Sequence, residues 1–157
     1  MENKSKRFDR ELFEQNDKLV RSRVREVMSN NSTFELRDNP KKLGVDIQVF
    51  HNNEHVCNIE LERKKVWTGE FKYNTLQIPF RKKKYCELDK PTYFVVFNKD
   101  LDNYMVIYQD ILVNSEVKEV PNKYVYSGEL FFQVDISKVG FNNLQGELDE
   151  FLTKKKK

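Results

Sequence analysis

The sequence has only two cysteines, Cys57 and Cys86, and they form no Cys-x-x-Cys pair. That excludes a disulfide framework or a structural zinc site and points to a reducing, intracellular setting. It has no apolar run approaching the roughly 20 residues of a membrane span. The opening Met1-Glu2-Asn3-Lys4-Ser5-Lys6-Arg7 has no apolar stretch behind it, so no secretory signal is expected. A cytoplasmic protein without membrane contact follows. Charge of one sign is not in excess either. There are 28 Lys and Arg against 25 Asp and Glu; residues 154–157 are four lysines, so the rest carries 24 against 25. This is no uniformly basic nucleic-acid binder, and any phosphate-binding surface must come from local clustering. No internal repeat is present. The richness in Lys and Asn suits an AT-rich genome such as a phage's.

What is present argues for a folded core. Aromatics make up 13% of the chain, too many for a disordered one. The length suits one domain, expected over residues 1–153, with 154–157 a solvated, disordered basic tail. Residues 8–28 carry Leu12, Leu19, Val20, Val24, Val27 and Met28 near helical spacing, with Asp9 as N-cap. Residues 33–37 read as a first strand. Residues 70–77 look irregular. Pro79 suits the first turn of a helix running to Leu88. Residues 92–97 and 104–108 are apolar strands, 110–115 a short helix, 121–128 a loop, 130–134 a late strand and 144–152 a helix weakened by Gly146.

Two segments carry the chemistry. Gly44-Val45-Asp46-Ile47-Gln48-Val49-Phe50 and Cys57-Asn58-Ile59-Glu60-Leu61-Glu62-Arg63-Lys64 both alternate apolar with polar residues, as half-buried strands do. A two-residue turn at Asn52-Asn53 sets Asp46 against Ile59 and mixes the faces. A three-residue loop, Asn52-Asn53-Glu54, sets Asp46 against Glu60, Gln48 against Asn58, Ile47 against Ile59 and Val49 against Cys57. Only this second parity keeps the apolar residues on one side. Opposed residues have Cβ atoms roughly 4.5–5.5 Å apart, so Asp46 and Glu60 could share an ion; Glu62 lies about 6–7 Å further along. Three acids and Lys64 on one face repel and desolvate one another unless a cation sits among them. Hard cations take carboxylate oxygens, and Mg²⁺ needs one or two plus substrate phosphate.

An Asp on one strand followed by Glu-x-Lys on the next resembles the PD-(D/E)XK nuclease superfamily. Val45 stands where the motif name has proline, and Glu62-Arg63-Lys64 matches the second element. Glu60-Leu61-Glu62 fits the Glu-x-Glu version equally, and the assignment stays open. The resemblance spans roughly residues 8–110. It implies a restriction-endonuclease-like α/β fold, an α-β-β-β-α-β core with a mixed central sheet and helices on both sides. It implies a DNA endonuclease dependent on Mg²⁺ or Mn²⁺, with Asp46, Glu60 and Glu62 as ligands and Lys64 orienting water. DNA is expected before RNA, with a homodimer open. The alternative is a non-catalytic nucleic-acid-binding or regulatory module on the same fold.

Arg81-Lys82-Lys83-Lys84 at a helix start suits phosphate contact, with Gln77 just before it; Arg81, Lys82 and Lys84 are the expected backbone holders. A solvated basic face is the competing reading. Glu11 and Glu14 are candidate helix carboxylates or simply solvated. Trp67 could stack on a base, though packing at a core edge is the commoner use. His51-Asn52-Asn53-Glu54-His55 matches the HxxEH zinc-peptidase pattern, but Asn-Asn between alternating segments is a hairpin tip, not the helix that pattern needs.

Overall fold

The computed structural model describes residues 10–41, 44–122 and 125–155. Helix α1 spans Arg10–Glu26; the expected start at Phe8 and Asp9 lies outside the described residues. Strands β1 (Phe34–Asp38), β2 (Ile47–His51), β3 (Glu54–Lys64), β4 (Thr75–Pro79), β5 (Thr92–Asn98) and β6 (Tyr104–Tyr108) follow. A 3₁₀ helix at Phe80–Cys86 separates β4 from β5. Then come α2 (Gln109–Val113), β7 (Glu116–Asn122), β8 (Val125–Asp135), β9 (Gly140–Phe141) and α3 (Leu144–Lys155).

The strands form two sheets. The larger has order β1-β2-β3-β5-β6-β9, and the smaller β4-β8-β7. In the larger sheet β3 and β5 are parallel and the other neighbours antiparallel, so the fold is α/β with a mixed sheet. Every residue of β5 is buried, which explains its unbroken apolar reading: both faces are covered. One face packs Ile47, Ile59, Val95 and Val106 against Val20 and Val24 of α1 and Leu144 and Leu148 of α3. The other packs Phe94, Val96 and Ile107 against Leu76 and Ile78 of β4, Phe132 and Val134 of β8, and Leu112 of α2. Of the apolar stripe expected on α1, Val20 and Val24 are buried while Leu12 and Leu19 are more than half exposed.

The small sheet departs from expectation. Residues 70–77 end in a strand, not an irregular segment, and much of 121–128 belongs to β7 and β8. Residues 123 and 124 lie outside the described residues. Prolines disguised both strands. Pro79 ends β4 and Pro121 sits at a register shift in β7, and both strands are edges, where a missing N–H is tolerated. The expected tail boundary at residue 153 falls inside α3, where Lys154 meets Glu150 at 3.2 Å. Gly146 does not break α3. Its N–H donates to Asn143 Oδ1 at 3.1 Å, and a Cβ there would collide with that capping amide.

The β2–β3 hairpin reaches the expected register by a different route. Ile47 faces Ile59, Gln48 faces Asn58 and Val49 faces Cys57. The tip is nevertheless the two-residue Asn52-Asn53 turn, with φ of 52° and 64°, the left-handed pair of a type I′ turn. A bulge after Val49 supplies the missing residue: Phe50 pairs with His55, leaving Val56 extra. The turn chemistry of Asn-Asn and the burial of Ile47, Val49, Cys57 and Ile59 make conflicting demands. One bulge satisfies both.

Candidate active site

Asp46 stands one residue before β2. Its position is set by the Asn39–Asp46 segment: Asn39 N–H donates to Asp46 O at 3.1 Å, and the Asn39 amide donates to Val45 O at 2.9 Å. Gly44 allows this, because a Cβ there would collide with the Asn39 amide. From this position the Asp46 carboxylate reaches across to β3. Its Oδ2 accepts Leu61 N–H at 2.7 Å, and its own N–H donates to Glu60 Oε1 at 3.2 Å. Asp46 and Glu60 are therefore neighbours, as the hairpin parity requires. Ile47, Ile59 and Leu61 are buried on the other side.

Two cations flank the pair, and neither is Lys64. Arg21 of α1 binds Asp46 Oδ1 at 3.0 Å and Asp46 O at 2.8 Å, and also holds Asp17 and Asp38. Lys82 of the 3₁₀ helix places its Nζ 3.3 Å from Glu60 Oε2, with both residues 7% exposed. Burial, then the negative charge of Asp46, pushes the Glu60 carboxyl up to about 8. The Lys82 ammonium favours the ionised form but is outweighed. The Tyr85 hydroxyl is also raised, first by burial and then by Glu60 and Asp46, so Tyr85 belongs to the same neighbourhood.

The 3₁₀ geometry sorts the basic run. With three residues per turn, positions i and i+3 share a side. Lys82 and Tyr85 form the side near the acids. Arg81 and Lys84 form another, both exposed: Arg81 lies 4.0 Å from Glu129, and Lys84 sits over the Tyr85 ring at 5.0 Å. Of the three expected phosphate holders, Arg81 and Lys84 are displayed and Lys82 is turned inward. Gln77 is exposed on β4, opposite Gln133.

Glu62 and Lys64 lie further out along β3. They bind each other, Lys64 Nζ to Glu62 Oε1 at 3.1 Å, with side chains about one-fifth exposed. Among the described residues no group of three or more His, Cys, Asp or Glu converges to hold a metal ion. The expected trio of ligands is thus drawn as a pair, Asp46 and Glu60, with Glu62 turned to Lys64. The pair does fit Mg²⁺ or Mn²⁺ in its donor chemistry. Two hard carboxylates suffice for such an ion, and each oxygen accepting one bond retains a second lone pair. Relief of the repulsion between Glu60 and Asp46 is what a bound cation would supply.

Past Lys64 opens a groove of about 530 Å³, lined among others by Lys64, Trp67, Phe71, Lys72, Tyr73 and Gln77. Trp67 is 5% exposed and its Nε1–H donates to Gly69 O at 2.9 Å, so it packs as a core edge, while Tyr73 is 70% exposed. Glu11 and Glu14 are exposed on α1. His51 and His55 flank the hairpin turn on neighbouring strands, so the zinc-peptidase pattern has no helix to stand on. Sequence reasoning missed Arg21 and Tyr85. The signals were Asp17-x-x-x-Arg21 on one helix face and the three-residue spacing of Lys82 and Tyr85. No family model and no curated protein matches the chain. No described helix is long and apolar enough to cross a membrane.

Proposed function

We propose that this chain is a metal-dependent nuclease of the restriction-endonuclease-like kind that hydrolyses DNA phosphodiesters. The observation that carries the reading is the Asp46–Glu60 contact: two carboxylates held together across a hairpin, one of them buried and raised to about 8. Burial and the nearby charge of Asp46 raise Glu60 in spite of the flanking Arg21 and Lys82, and groups perturbed in this way concentrate at functional sites. The order α1, β1, β2, β3 and then a strand parallel to β3 suits the fold reading, with β4 and a 3₁₀ helix where the family core has an α-helix.

Asp46 and Glu60 are the residues to hold Mg²⁺ or Mn²⁺. When bound, such an ion polarises the phosphodiester and lowers the pKa of water at the site. Water adds to phosphorus, one P–O ester bond breaks, and the water's proton ends on the leaving alcohol. Arg21 keeps Asp46 in place. Arg81 and Lys84, outward on the 3₁₀ helix, hold the backbone, and the strand extends along the groove past Lys64 to Tyr73 and Gln77. Incubating the protein with linear, branched and single-stranded DNA under Mg²⁺, Mn²⁺, Ca²⁺ or chelator tests this. Cleavage under Mg²⁺ or Mn²⁺ alone is expected, and no cleavage of any form overturns it.

One observation favours the second reading, a non-catalytic nucleic-acid-binding module. All four oxygens of Asp46 and Glu60 already have a protein donor. Under that reading the four-residue cluster Arg21–Asp46–Glu60–Lys82 is a polar brace. DNA then binds equally well with and without divalent ions and is never cut.

A further inference from the structure

We propose that Lys82, not Lys64, is the lysine that works with the Asp46–Glu60 pair, holding Glu60 and donating to an oxygen of the phosphodiester being cleaved. This rests on the nuclease reading. Lysine is almost never buried unless it is paired, and Lys82 is 7% exposed. Its ammonium has three N–H donors, and its one described partner is Glu60. Two donors remain, on a cation fixed beside the Asp46–Glu60 pair. A phosphodiester oxygen is the anion such donors suit.

The other cations are placed for different work. Arg21 is spent: its Nε, Nη1 and Nη2 are taken by Asp17, Asp38 and both the carboxylate and the carbonyl of Asp46. That arrangement fixes Asp46 and leaves little to offer substrate. Lys64 is bound to Glu62, and the groove it lines includes neither Asp46 nor Glu60. Delivery of Lys82 depends on the 3₁₀ turn that starts at Pro79. Three-residue periodicity sends Lys82 inward with Tyr85, while Arg81 and Lys84 stay outside. An α-helix over the same residues would spread these four positions around the axis differently.

The test compares Lys82→Met, Lys82→Gln and Lys64→Met with the wild type in two assays. These are Mg²⁺-dependent cleavage of labelled DNA and Mn²⁺ binding by calorimetry without DNA. Both Lys82 variants should lose kcat by on the order of 10²-fold, the size of one lost transition-state donor, with little change in KM. They should bind Mn²⁺ at least as tightly as wild type, because a positive charge beside the ligands is gone. Lys64→Met should lose less than tenfold. Lys82→Gln can still hydrogen-bond Glu60, so it serves should Lys82→Met fail to fold. A wild-type rate in Lys82→Gln, a larger loss in Lys64→Met, or joint loss of Mn²⁺ binding and turnover in folded Lys82→Gln overturns the proposal; the last marks a structural brace. A wild type that cleaves nothing overturns the nuclease reading, and this proposal with it.

Discussion

Two acid–lysine pairs lie on the same face of β3, and they are built differently. Glu62–Lys64 is local: the partners are two residues apart, side by side on one strand, about one-fifth exposed. Glu60–Lys82 is non-local: the lysine returns from the 3₁₀ helix after β4, and both side chains are 9% exposed. The local pair follows from alternation in one segment. The non-local pair forms only when the small sheet packs over the large one and brings the 3₁₀ helix with it. Equal chemistry in two solvents has unequal weight. The more exposed pair gains less because water competes for both partners, whereas a buried charge left alone is strongly destabilising.

The sharpest way to break this comparison is Asp46→Asn. Under the proposed function it abolishes cleavage by removing one of two ligand charges, while the fold survives because Arg21 keeps Asp17 and Asp38. Wild-type turnover in Asp46→Asn, measured with Mg²⁺, would mean that the inner pair is not the chemical centre.

Next in size is stability. Above about pH 8, where Glu60 is ionised in the folded chain, Lys82→Met leaves that charge buried without its cation, and losing one partner of a buried pair costs about 3–5 kcal/mol; below it Glu60 keeps its proton and the loss is smaller. Lys64→Met should cost about 1 kcal/mol or less. Urea unfolding of the two variants checks the contrast. Equal losses would show that the pairs do not differ in the way their burial implies. Above that pH the double change Glu60→Gln with Lys82→Met should recover much of the loss, since no uncompensated charge is left inside.

Acidity separates the pairs more finely. Glu60 is raised to about 8 by burial and by Asp46. Between about 4.5, its ordinary value, and 8, the unfolded chain has released this proton while the folded chain retains it. The folded state therefore binds more protons, and stability falls as pH rises through that window, then levels off above it. Glu60→Gln should flatten the slope, leaving what the Glu147 carboxyl, also raised by burial, contributes. Asp46→Asn should move its upper end to lower pH, because the like charge is gone. A wild-type stability no more pH-dependent through the window than that of Glu60→Gln would contradict the raised carboxyl.

The smallest expected effect lies outside both pairs. Arg81→Ala with Lys84→Ala should weaken DNA binding without sequence preference and reduce the log–log salt slope by about 0.9 per lost phosphate contact. Fluorescence anisotropy at several salt concentrations, with chelator present, reads this. An unchanged slope would remove the outward side of the 3₁₀ helix from the interface.

The class of the fold was legible because its largest signals are local. Period-two alternation in residues 44–50 and 57–64 established the hairpin and put Asp46 beside Glu60. The fully apolar 92–97 announced a strand covered on both sides, and 104–108 its neighbour. The register was legible but the loop length was not: the turn has two residues, not three, and the bulge after Val49 restores the register. Legibility failed where prolines punctuate edge strands, at Pro79 and Pro121, and where side chains at several turns' distance on α1 were read as one core stripe.

By itself, then, the chain determines which residues share a face, because a strand's alternation and a helix's pitch are properties of a few consecutive dihedrals. Which cation meets which acid is decided only in three dimensions. Lys64 stands next to Glu62 in any extended strand. Lys82 reaches Glu60 only because Ile78, Leu76 and Phe132 bury themselves against Phe94 and Val96, and Arg21 reaches Asp46 only because Val20 and Val24 seat α1 on the opposite face. Hydrophobic burial is non-directional and sets where the elements lie. The ion pairs then form between whichever charged groups that packing has brought within reach.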